Sequence, residues 1–355
     1  MNKKRLSNYD LLRIVCTIAV VLIHVSSNYK REYVGLIAIG EEVNKFSLLY
    51  ISFVNMLPRF SVPCFVMLSG AFLLSNDKND DYVLFYRHSW FKIGIPTVLF
   101  SAFYLCYNEF RNILKYCILR EKVDLILPLK WLLMGAPEYH MWYLYMLIGL
   151  YIATPILVLT RKNWKRKDFD IFVIVIFIIS LIGAQNNINK YYWSLSTAVC
   201  YIGYFCIGYY IKCKCINRKN NKWGIMLIGL GILSECAMSI LQYKHMLLGI
   251  GEADEKYNLV TGFNPVIAVA SLLIFMGFSC LKVNKDFTKI SNVTFLIFLF
   301  HAAVLDIAYQ IMRNIGIITI YIQIPLLVIF VTFISGGLSI VYININSWVK
   351  RKVLK

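Results

Sequence analysis

Six ionisable residues of this 355-residue sequence fall inside long apolar runs: Arg13, His24, Arg59, Glu235, His301 and Asp306. An ionisable side chain in such a run is costly, so each is by default a candidate for function. Arg13 and His24 are eleven residues apart, about 3.06 turns of a helix, so both point to one face, ~16 Å apart along its axis. That pair suits a ligand whose anionic part is held at one level while its reactive end reaches deeper. The alternative is that Arg13 snorkels to lipid phosphates and His24 is a hydrogen-bonded residue near the far interface. Spacing alone leaves both open.

Arg59 lies mid-run, next to Pro58 and four residues before Pro63. Two prolines so close predict a broken or kinked helix whose freed carbonyls line a cavity. A phosphate or carboxylate would be a natural partner for Arg59; an ion pair with Glu235 or Asp306 is the structural alternative. His301 and Asp306 are five residues apart, about 140° around a helix, so they do not form a relay on one face. His301 can instead face His24 across a helix bundle. His140 stands at the start of a further apolar run, and Ser69-Gly70 supplies small residues for close helix approach.

The elements that must position these groups are helices. Apolar runs of about 20 residues, enough to cross ~30 Å of hydrocarbon, occur near 9–27, 46–74, 91–108, 141–160, 169–187, 194–212, 223–242, 262–281, 292–312 and 318–347. They lack the alternation of a β-barrel, and helices satisfy their own backbone groups in lipid. The expected fold is all-α, a polytopic transmembrane bundle of about ten helices forming a single domain over residues 1–355, with no separate soluble domain. The stretch Leu125 to Met134 within segment 109–140 is too short to span and is expected to lie in the interface or re-enter the bundle.

Composition agrees. The chain is 59% hydrophobic and 16% charged, against ~45–50% and ~25% for soluble domains, which excludes an ordinary cytosolic enzyme. Ten Cys, mostly inside apolar runs, exclude a secreted disulfide scaffold. The net charge of +18 comes from short basic clusters between the runs, which marks topogenic loops and not a nucleic-acid surface. With the N-terminus inside, 23 of the 37 Lys and Arg fall on the inner side and 12 on the outer, so both termini are expected in the cytoplasm. Cys213-Lys214-Cys215 has no further Cys or His pair nearby, so no metal site is expected. Walker A and dinucleotide-binding glycine patterns are absent from the sequence.

Span 1, from Tyr9-Asp10-Leu11-Leu12-Arg13 to Val21-Leu22-Ile23-His24, resembles the first helix of the membrane acyltransferase 3 family, with its Arg, ten intervening residues and His. Arg59-Phe60-Ser61-Val62-Pro63 through Ser69-Gly70 resembles the family's second-helix pattern. Arg87 to Pro96 resembles its basic approach to helix three, and His140-Met141-Trp142-Tyr143 its His, Trp and aromatic motif. Tyr204 to Tyr210 and Ser291 to His301 complete the series, so the resemblance runs from Tyr9 to about Trp348.

The resemblance implies an integral enzyme of a bacterial cytoplasmic membrane that takes an acyl group, usually acetyl, from cytoplasmic coenzyme A to a hydroxyl of a cell-envelope glycan. By it, His24 is the catalytic residue, Arg13 and Arg59 help to hold the donor, and Asp10, Ser69, Arg87, His140, Trp142 and His301 join the binding site. The expected partners are acyl-CoA, a glycan or lipid-linked glycan acceptor and the bilayer, with no nucleic acid. Some relatives carry an additional extracytoplasmic domain; a separate transferase would take its place here, or the acceptor meets the acyl group at the membrane domain. Such a transfer needs a base because an alcohol is a poor nucleophile at neutral pH, and histidine supplies about 10²–10⁴ in rate. The competing reading is a transporter or flippase of a polysaccharide or lipid-linked sugar, against which no two-fold repeat is visible.

Overall fold

A computed structural model describes residues 6–120, 126–187, 194–215, 218–248, 263–315 and 319–353. The described part of each apolar run is helical, except that the second run forms two helices, because a backbone in hydrocarbon must pair its own N–H and C=O groups. The helices are α1 (Ser7–Ala38), α2 (Lys45–Met56), α3 (Ser61–Leu73), α4 (Tyr82–Ser89), α5 (Ile95–Leu114), α6 (Leu127–Leu133), α7 (Trp142–Asn163), α8 (Arg166–Asn187), α9 (Ala198–Cys215), α10 (Asn221–Leu247), α11 (Pro265–Cys280), α12 (Thr288–Ile315) and α13 (Ile320–Val353). Among the described residues, eight helical stretches are long and apolar enough to cross a membrane, while α11 is a shorter apolar helix of 16 residues. The chain is therefore an all-α, multi-pass membrane protein.

The second run is broken as its prolines require. Helix α2 stops at Met56, two residues before Pro58, whose ring disfavours helix at the preceding residue and which has no N–H to donate. Tight turns bridge the gap, with Arg59 N–H donating to Met56 O (2.9 Å) and Ser61 N–H to Pro58 O (3.1 Å). Pro63 falls in the first turn of α3, where no intrahelical donor is needed. Helix α1 runs farther than its apolar stretch: it continues through Lys30, Arg31 and Glu32 to Ala38 because Tyr33, Val34 and Ile37 pack on the apolar cluster of Val21, Val25, Tyr29, Leu48, Ile51 and Leu305. In segment 109–140 the short stretch forms α6, only seven residues long, which stops before Gly135 at φ +76°.

The described helices cluster into two compact units, one comprising residues 1–65 with 211–355 and the other residues 66–210. In the first, α10 packs on α11 through small residues: a Cβ on Gly277 would lie 2.7 Å from the Gly224 carbonyl oxygen. The start of α1 is tied to the end of α11, with Asn8 Nδ2 donating to Phe278 O (2.9 Å) and Tyr9 OH to Ser279 Oγ (3.0 Å). Lys219 Nζ donates to Ser279 O (2.6 Å), and the half-burial of its ammonium pulls it below the usual lysine range.

In the second unit, α3 and α9 touch backbone to backbone. A Cβ on Gly70 would lie 1.7 Å from Phe205 O, and one on Gly208 2.1 Å from Met67 O, so both positions admit only glycine at this helix separation. Arg161 and Lys162, at the end of α7, pair with Asp77 and Asp80 in the turn after α3. The Lys162 ammonium beside Asp80 holds that carboxyl below the usual carboxylate range.

Candidate functional site

Within the first unit, residues from α1, α2, α10 and α12 and from the turn after α2 form a connected polar set that includes the imidazole of His24. Regular α1 geometry delivers the side chain to the interior, since His24 lies on the turn between the buried Ile23 and Val25. Its ring centroid is 5.2 Å from that of His301 on α12, with the planes inclined by 30°. His301 is fully buried, and its Nδ1 lies 2.6 Å from Phe298 O. A carbonyl only accepts, so Nδ1 carries the proton of that bond. By residue surface His24 is the less deeply buried member of the imidazole pair.

The break between α2 and α3 places Arg59 in electrostatic range of His24. Its Nε donates to Asn55 O (3.2 Å) and its Nη2 to Asn55 Oδ1 (2.8 Å). The same Asn55 amide donates to Ser26 Oγ and Ser27 Oγ, each at 3.0 Å, on the turn of α1 just beyond His24. Asn55 thus couples the helix break to the helix that carries the imidazole. From α10, the Gln242 amide reaches Asn55 Oδ1 (3.2 Å), and Ser52 of α2 donates its hydroxyl to Ser239 O. Glu235 projects from the same helix, fully buried and in electrostatic range of Arg59.

Arg13 occupies a different level of α1. Its Nη1 lies 3.0 Å from Asp10 Oδ1 and donates to Ser291 Oγ (2.9 Å), while Ser291 Oγ donates to the same Asp10 oxygen (2.7 Å). The Asp10 side chain is 4% exposed and that of Arg13 28%. This triangle pins α1 to α12 about 16 Å along the axis from His24.

Asp10, Arg13, His24, Arg59, Glu235, His301 and Asp306 therefore belong to one unit, whereas Ser69, Arg87, His140 and Trp142 belong to the other. Ser69 is in α3 beside the glycine contact, and Arg87 is exposed on α4. His140 is 1% exposed, with its ring edge-on to Tyr104 (5.1 Å). Trp142 opens α7 against Tyr201 (5.8 Å).

Asn55, Ser239, Gln242 and the Ser26-Ser27 pair were not singled out from the sequence, because uncharged polar residues do not stand out in an apolar run. The signal was positional: Asn55 precedes Arg59 by one helical turn, and Ser239 and Gln242 follow Glu235 by one and two turns. Among the described residues no group of three His, Cys, Asp or Glu comes together in metal-ligating fashion.

The arrangement offers an imidazole pair, His24 with His301, and a guanidinium within electrostatic range of it, all in one unit. Such a set can move a proton and stabilise negative charge developing on an oxygen. In comparison with known proteins, the family model of an acyltransferase domain matches residues 6–343, nearly the whole chain. No curated protein and no solved structure gives a match.

Proposed function

The chain belongs to the membrane acyltransferase 3 family, and from that premise we propose that it transfers an acyl group, acetyl first among the choices, from coenzyme A on the cytoplasmic side to a hydroxyl of a cell-envelope polysaccharide or glycan precursor. The observation that carries this reading is the pairing of the His24 and His301 imidazoles within the unit that also holds Arg59. With both termini in the cytoplasm, as the excess of Lys and Arg in the inner loops favours, Asp10 and Arg13 lie toward the donor's side and His24 at the deeper, reactive level.

His24 serves in one of two ways. As a base, it takes the acceptor's hydroxyl proton while that oxygen attacks the thioester carbon. As a carrier, it attacks the thioester itself and later passes the acyl group to the hydroxyl. In both, the C–S bond breaks, an ester forms and the hydroxyl proton ends on the departing thiol. His301 backs the imidazole, and the Phe298 carbonyl fixes its orientation. Arg59 stands where the carbonyl oxygen of the donor gathers negative charge, and Arg13, fixed by Asp10 and Ser291, lines the inner part of the donor's path.

The test is transfer of label from acetyl coenzyme A in membranes that contain the wild type or His24→Ala. We expect label in envelope glycan with the wild type and a loss of about 10²–10⁴ in rate with the variant, at equal amounts of folded protein. Equal transfer by both would overturn the role of His24. No label above background with either protein would overturn acetyl transfer itself.

A further inference from the structure

Asn55, in the last turn of α2 and 0% exposed, hydrogen-bonds in two directions. Toward the helix break it meets Arg59 twice: Nη2 donates to its side-chain Oδ1 (2.8 Å) and Nε to its backbone O (3.2 Å). Toward α1 its Nδ2 donates to Ser26 Oγ and Ser27 Oγ, both at 3.0 Å. Those hydroxyls are themselves committed, Ser26 Oγ donating to Leu22 O (2.7 Å) and Ser27 Oγ to Ile23 O (2.6 Å), the carbonyls of the two residues that precede His24. An unbroken chain of hydrogen bonds thus runs from the Arg59 guanidinium, through one amide, to the backbone of the turn that carries His24.

The chemistry of that chain requires an amide. A guanidinium only donates, so the Asn55 atom facing it is the oxygen. Each serine proton is committed to a carbonyl, so each hydroxyl needs a donor from Asn55, and one NH2 group supplies two. A carboxylate of the same shape would satisfy the guanidinium and fail the serines. An aliphatic side chain would fail both.

We propose that Asn55 is a positioning residue that holds the Arg59 guanidinium in register with the His24 turn of α1 for acyl transfer. This rests on the acyl-transfer reading of that site and adds a residue to it. Arg59 follows Pro58 in the gap between α2 and α3, where no regular helix fixes the direction of its side chain. A guanidinium bonded only through Nε to a backbone oxygen can still turn about that bond. The second contact, to Oδ1, defines its plane, and Nδ2 ties that plane to α1. Displacement of a catalytic group by about 1 Å costs as much as 10²-fold in rate.

The test uses membranes that contain the full chain and follows label from acetyl coenzyme A into envelope glycan over a range of donor concentrations, with folded protein measured by size-exclusion chromatography. Asn55→Asp keeps the shape and the acceptor for Arg59 but removes both N–H donors: kcat per folded molecule should fall by about 10–100-fold, with KM for acetyl coenzyme A unchanged within about threefold. Joint Ser26→Ala and Ser27→Ala cuts the same chain from the α1 side with residues that favour helix; it should lower kcat in the same way, and it carries the test if Asn55→Asp does not fold. Added to Asn55→Asp, the serine pair should cost less than about threefold more, because both changes break one chain. An amide that only packs the bundle would change the amount of folded protein and leave kcat per folded molecule alone.

Wild-type kcat per folded molecule in Asn55→Asp or in the serine pair, a change confined to KM, or losses that multiply in full would overturn the proposal. A wild type that places no His24-dependent label in glycan would bring down the acyl-transfer reading, and the role of Asn55 with it.

Discussion

Arg13 is paired with Asp10 less than one turn away on its own helix and shares that carboxylate with Ser291, whereas Arg59 sits at a helix break and is held by the neutral oxygens of Asn55. Both are guanidiniums within membrane-spanning stretches, yet the first shares a carboxylate with another helix's hydroxyl and the second is gripped by an amide that also bonds the turn of α1 beyond His24. The sequence places both arginines in equivalent apolar surroundings, and their partners give them different work.

The strongest way to break this contrast is to remove each guanidinium in turn. Arg59→Ala should lower kcat by about 10²–10³, the loss typical of a missing donor to a developing oxyanion, with little change in KM for acetyl coenzyme A. A change confined to KM would place Arg59 with Arg13 as a donor-holding residue.

The next effect concerns Arg13. Arg13→Ala leaves the buried Asp10 carboxylate with only the Ser291 hydroxyl among the contacts of that triangle, so it should cost about 1–3 kcal/mol of stability, seen as a lower melting temperature in detergent. Its effect on kcat should stay within about tenfold, and a kcat loss as large as that of Arg59→Ala would erase the distinction.

The smallest effect lies in the second unit, where charges pair at exposed helix ends and not around an imidazole. Lys162 holds the Asp80 carboxyl below its unfolded range, so the pair contributes stability above the unfolded carboxylate pKa of ~3.9 and loses it as pH falls through the lower folded value. Melting curves of the wild type and Asp80→Asn should differ slightly at pH 7 and converge in acid. A difference that grows in acid would reverse the assignment.

Much of this molecule was readable in advance, and for physical reasons. The length of each apolar run defines a helix because hydrocarbon offers the backbone no other partner. Pro58 defines the break because it lacks an N–H. The three-turn spacing of Arg13 and His24 defines a shared face because the helix repeat is fixed. Ser69-Gly70 announced a close helix contact, and Gly70 makes one with Phe205. The extension of α1 to Ala38 was not readable, because its charged outer end is held by Tyr33, Val34 and Ile37 packing on other helices. Asn55 and Gln242 were hidden for a similar reason: an amide in an apolar run has no meaning until another helix brings it a partner.

By itself, then, the sequence determined that the chain spans a membrane as helices, where its second span breaks, and which few ionisable groups must be accommodated inside. These follow from local rules of backbone pairing and residue spacing. Only the tertiary structure decided which groups meet: His301 behind His24, Asn55 against Ser26, Ser27 and Gln242, and Asp10 with Ser291 around Arg13. Those choices depend on contacts between residues as far apart as 10 and 291, and such contacts are set by how helices pack, which no single helix encodes.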